Sequence, residues 1–142
     1  MGVIGSVVSA VGAAQQAQAQ ADQADREAVI EKINARTRSQ QGVAESEKII
    51  QEGRSLARRQ LALAGAGNIE PRTGSVALLI NETEKLTKLD EMSALWNASA
   101  EQTNFQNRAK SYEGQAAAYR QAASISFLQG ITAIGGALKL NA

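Results

Sequence analysis

Residues 64–75, "AGAGNIEPRTGS", form the one clear break in a chain of 142 residues. The segment holds Gly65, Gly67, Gly74 and the chain's only proline, Pro71. Glycine supplies the positive φ found just past a helix end, and proline blocks helix continuation. Thr73 or Ser75 can then cap the next helix. The segment reads as a turn made by Gly65, Gly67, Pro71 and Gly74, with a long helix on each side.

Composition supports long helices. Ala, Gln, Glu, Arg and Lys are abundant, and aromatic residues make up only 4% of the chain. Much of the 44% hydrophobic content is alanine, the best helix former but a residue that buries little area. A compact core at this length normally needs more large side chains. The expected fold is all-α: a long, elongated antiparallel helical hairpin that completes its burial by oligomerisation.

The expected layout is a single helical domain. It has an apolar N-terminal tip at 1–13, helix 1 over 14–64, a turn over 65–75, helix 2 over 76–123 and an apolar C-terminal tip at 124–142. In helix 1 a seam at spacings of 4 and 3 runs through Val29, Ile33, Arg36, Gln40, Val43, Glu47, Ile50, Arg54, Ala57 and Leu61. Several of these positions are polar, so the seam is weak. Helix 2 has the sharper pattern, with Leu95, Ala98, Gln102, Phe105, Ala109, Tyr112, Ala116, Tyr119 and Ala123 on one stripe. Large and small residues alternate there, which suits a close pair with a ring over an alanine. We take Leu95, Phe105, Ala109, Tyr112, Ala116 and Tyr119 as the packing seam.

A turn near residues 69–70 sets residue i opposite about 139 minus i. Each helix of some 40–50 residues would reach about 60–75 Å at 1.5 Å per residue. The two apolar ends, "MGVIGSVVSAVGAA" and "ISFLQGITAIGGALKLNA", then meet at one tip of a polar rod. Val3, Ile4, Val7, Val8, Val11, Phe127, Leu128, Ile131 and Ile134 would make a membrane or oligomer contact there. Gly5 and Ser9 form a small-xxx-small pair, a spacing that lets helices approach closely in lipid. Packing on a protein surface within a larger assembly explains the same residues. No run reaches the roughly 20 apolar residues of a transmembrane helix.

Net charge is +1, so no global field attracts nucleic acid or an anionic membrane. Arg54, Arg58 and Arg59 cluster just before the turn. They could pair within the hairpin among Glu82, Glu84 and Lys85, at under about 1 kcal/mol per exposed pair. They could instead touch DNA phosphate or an acidic protein surface. The chain has no Cys and no His, and neither metal-ligand spacing nor a phosphate-loop pattern. Asp90 and Glu91 are adjacent and point to different helix faces. We expect no enzyme, no catalytic residue, no cofactor and no metal.

Three features together resemble a known family. They are the Gly/Val/Ala start with its Ala/Gln tract, "ARRQLALAGAGNIEPRTGSVALLINETEKLTKLD" at 57–90, and "NFQNRAKSYEGQAAAYRQAAS" at 104–124 before a glycine-rich apolar tail. The most specific piece is "RTGSVALLINETEKLTKLD" at 72–90. The chain resembles the small internal virion proteins, or ejection proteins, of short-tailed bacteriophages. The resemblance implies storage inside the capsid near the portal, release at infection and a part in a conduit through the host envelope, with the outer membrane as the smallest member's place. The implied partners are copies of itself in a multi-copy ring, other internal virion proteins, the portal and the host outer membrane, with non-specific contact to phage DNA. A purely structural virion component and a bacterial secretion-system translocator are the alternatives.

Overall fold

The structure, a computed structural model, describes residues 2–67 and 74–139, with side chains described over 8–67 and 74–132. Two helices account for nearly all of it: α1, Gly2–Ala66, and α2, Gly74–Lys139. They pack against one another as an antiparallel hairpin. Both extend well past the expected limits of 14–64 and 76–123. The glycines near each end cost roughly 1 kcal/mol apiece in helix propensity, yet both helices run through them. The apolar ends are therefore continuations of the helices, not separate segments.

At the turn, Gly65 is still helical, a correction to its assignment as a turn residue. Gly67 comes just after the last helical residue, and its N–H donates to the Leu63 carbonyl at 3.1 Å. Gly74 opens α2 with φ of 70°, a conformation that glycine adopts without steric cost. Ser75 lies in the first turn of α2, whereas Pro71 and Thr73 fall outside the described residues.

The chain divides into two compact units, Met1–Ile33 with Phe105–Ala142, and Asn34–Asn104. In the first, Ala21, Ala24, Ala28, Ala109 and Ala116 are buried. A Cβ built on Gly130 would lie 3.1 Å from the Ala10 Cβ, so the two chain ends are antiparallel neighbours there. Cross-helix ion pairs flank this seam. Lys32 Nζ donates to Glu113 Oε1 at 2.5 Å, and Arg120 donates to Asp25.

In the second unit, Ala35, Ala64, Ala98, Ser46 and Thr83 are buried. The helices approach closely at two glycines. A Cβ on Gly42 would collide with that of Ala98, and one on Gly53 with the side chain of Thr87. Gln60 Nε2 donates to Thr83 Oγ1 at 3.0 Å, and Thr83 Oγ1 also reaches the Leu79 carbonyl at 3.0 Å. Arg38 bridges the helices: its Nε donates to Glu101 Oε2 at 2.6 Å and its Nη1 to Glu45 Oε1 at 3.2 Å. The Glu101 hydrogen bond is the main reason that the Arg38 pKa rises above its ordinary value, against a smaller opposing effect of burial.

The facing pairs give the register. The numbers of Ala10 and Gly130, of Gly42 and Ala98, and of Gly53 and Thr87 each add to 140, one more than the sequence estimate. The expected seam of α1 is displaced by one residue. Val29, Ile33, Val43 and Leu61 are between 41% and 56% exposed, while Ala28, Ala35, Gly42 and Ala64 are buried. Close approach of two backbones selects small side chains and leaves the bulky ones outside. On α2, Ala98, Ala109 and Ala116 are buried and Phe105 and Tyr112 half-buried, with Tyr119 at the rim. Leu95 is a correction: it is 38% exposed and Ala94 takes its place on the seam.

Candidate functional site

No enclosed, chemically equipped cavity marks this protein among the described residues, and its candidate sites are surfaces. Among the same residues there is no cluster of His, Cys, Asp or Glu fit to hold a metal ion. Nor, among them, is any helix long and apolar enough to cross a membrane.

In the first unit the chain ends expose apolar side chains. Val8 is 66% exposed, Leu128 60% and Phe127 55%, and Val11 and Ile131 are exposed beside them. The side chains of Val3, Ile4, Val7 and Ile134 lie outside the described set. The alanine seam forces this exposure: Ala10, Ala14 and Ala17 face the partner helix and leave no room for larger residues between. Further along, Tyr112 and Tyr119 line a shallow groove of about 260 Å³ with Gln20, Gln23 and Ala24. Arg108 sits over the Phe105 ring, 5.7 Å from its centroid. These aromatic residues are packing and rim residues of the seam.

In the second unit Arg54, Arg58 and Arg59 are exposed, and among the described residues none of them makes an ion pair. The expected pairing with Glu82 and Glu84 is thus a correction. Arg54 does share a groove with Glu84, Lys88 and Glu91. Arg54 and Arg58 also line a separate shallow groove with Gln51 and Ser55. The α-helical repeat aims these guanidinium groups outward, where solvent screens them.

Sequence reasoning missed a second apolar surface in this unit. Leu78, Leu79, Leu86, Leu89, Met92 and Trp96 of α2 are all exposed, Trp96 to 72%. On α1, Leu56 and Leu63 are 48% and 73% exposed. The signal was present in the seven-residue spacing of Leu56 with Leu63 and of Leu79 with Leu86. Comparison with family models, curated proteins and solved structures finds no match for this chain.

Proposed function

We propose that this chain is an internal virion protein of the short-tailed bacteriophage type. Several copies are stored in the capsid near the portal, leave it at infection, and contribute to a DNA-translocation conduit across the host envelope. The observation that carries this reading is the make-up of the seam. Among the described residues every buried hydrophobic residue is alanine and no large side chain is fully buried.

A pair of helices held by alanine, glycine and scattered polar bonds has little interdigitated bulk to disengage. Burying a methyl group contributes roughly 0.8 kcal/mol, against about 1.5–3 kcal/mol for a Leu or Phe side chain. Such a helix pair comes apart locally at low cost, as passage through a narrow portal requires. The exposed apolar residues at the chain ends need cover, which a ring of copies or a lipid surface provides. The resemblance read from residues 57–90 and 104–124 points to the same class.

Two measurements test the reading. The chain should be abundant in filled particles and absent from particles that have released their DNA. Purified protein should bind liposomes and release an enclosed dye, and Ile131→Asp with Ile134→Asp should abolish both. Retention in emptied particles would instead favour a structural role in the virion, such as a scaffold, adaptor or portal-associated protein. The apolar face at Leu78–Trp96 of the second unit, remote in sequence from both ends, suits that second reading, because it can serve protein contacts with no lipid present.

A further inference from the structure

A groove of about 340 Å³ in the second unit is lined by Ile49, Leu56 and Leu86, with Glu52 and Asp90 on its rim. Leu56 and Leu86 are about half exposed, so the groove is open to a partner. Its α1 wall belongs to a heptad stripe: Ile49, Leu56 and Leu63 fall seven residues apart. That spacing holds three apolar residues in line along one flank of the helix, the pattern by which one helix takes up another. Leu79 and Leu86 repeat the spacing on the α2 side.

The charges between those apolar residues suggest which helix. On the α1 stripe, Glu52 stands between Ile49 and Leu56, and Arg59 between Leu56 and Leu63. The order apolar, acidic, apolar, basic, apolar is its own complement when reversed. A second copy laid antiparallel, with a two-fold axis at Leu56, sets Ile49 against the partner's Leu63. It sets Leu56 against its own equivalent, and leaves Glu52, which faces the partner's Gln60, one residue or about 1.5 Å of rise from the partner's Arg59, within reach of that long side chain. By symmetry the Ile49–Leu63 and Glu52–Arg59 pairs each occur twice and the Leu56 pair once, on the axis, as an isologous contact requires.

The electrostatics of the single chain agree. Arg59 makes no ion pair among the described residues, and Glu52 has only an exposed contact with Lys48 at 3.8 Å. The groove rim is acidic at Glu52 and Asp90, and the arginines Arg58 and Arg59 come one to two turns on. A parallel copy in register would instead bring like charges together, which is unfavourable. We infer that this groove is a homodimer interface, in which the residues 49–63 of two copies pack antiparallel and Glu52 pairs with Arg59 across the two-fold axis. The inference stands on the second unit alone and does not depend on the role proposed above.

Charge reversal tests it. Sedimentation equilibrium of the full chain should show a dimer at micromolar concentration. Glu52→Arg alone and Arg59→Glu alone should each weaken self-association at least about tenfold. The double reversal should restore it, because the stripe is again self-complementary. Circular dichroism should show unchanged helix content, since both side chains are exposed. A spin label at Ser55→Cys, on an otherwise native chain, should report an inter-subunit distance of about 10–20 Å, as interaxial spacings of about 8–10 Å imply. A wild-type protein that stays monomeric, a dimer indifferent to both single reversals, or a double variant that fails to recover would each overturn the inference. So would spin labels that show no short distance in a confirmed dimer.

Discussion

Gly42 and Ala98 face each other across the second unit so closely that a Cβ on the glycine would fall well inside 3.0 Å of the alanine Cβ. One of the two positions must therefore lack a side chain if the helices are to keep their separation. Gly42→Ala should destabilise the protein by about 1–3 kcal/mol, the usual cost of overpacking, even though alanine is the better helix former. Ala98→Gly added to it should recover part of the loss. Thermal melting of the wild type, the two single variants and the double variant measures the coupling. A Gly42→Ala protein that melts no lower than the wild type would show that the helices separate without cost.

The opposite sign is expected at Gly114. This glycine is exposed on α2, and a Cβ built on it would meet nothing within 4 Å. Gly114→Ala should stabilise the hairpin by about 0.5–1 kcal/mol, through the reduced entropy of the unfolded chain and better helix propensity. The same change at Gly74 should destabilise, because its φ of 70° suits glycine and strains alanine. Chemical denaturation of both variants under one set of conditions gives the contrast directly.

The two-helix hairpin was legible because proline and glycine interrupt helices locally, and Pro71 is the only proline. The register was nearly legible too, since reflecting the chain about its break requires no side-chain detail. The seam of α1 was not. A search for bulky apolar residues at helical spacing settles on Val29, Ile33 and Val43, whereas the contact runs through small ones. Ala14, Ala21, Ala28, Ala35 and Gly42 recur every seven residues, a repeat that is plain once small size is the criterion. On α2 the rings of Phe105 and Tyr112 mark the seam, so the usual criterion worked there. The charge clusters were legible as clusters, but their partners depend on rotamers and on the true register. Arg54, Arg58 and Arg59 consequently found no mates within the described hairpin, while Arg38 found two.

Thr83 is the buried polar residue at which the two helices exchange a side-chain hydrogen bond, accepting from Gln60 at 3.0 Å. Thr83→Val keeps the shape and removes that bond along with the one to the Leu79 carbonyl. The Leu79 carbonyl retains its helical partner, and Gln60 is half exposed and can turn to water. The loss should therefore be modest, about 1 kcal/mol, near the net worth of one hydrogen bond. Hydrogen exchange should show faster opening of the turns around Gln60 and Thr83, with the first unit unchanged. A loss several times larger would mean that Gln60 is left without water.

Glu31 is the residue of the seam that fits least well. It lies on the helix-facing stripe between Ala28 and Ala35, its side chain only 14% exposed. Its Oε2 is buried without a hydrogen-bond partner, and its nearest cation, Arg108, stands 3.9 Å from the other oxygen. A carboxylate so placed gives up much of its hydration for a long, exposed ion pair worth little. Glu31→Met preserves the length of the side chain and removes the unsatisfied oxygen. Its effect should be a gain in stability of roughly 1–2 kcal/mol, the scale of one buried polar atom left unpaired. Glu31→Gln should gain less, because the amide still lacks a partner at that position. Denaturant midpoints for the three proteins check the order Met above Gln above Glu, and a fall in stability for the methionine variant would mean that the carboxylate is held by a contact stronger than the one to Arg108.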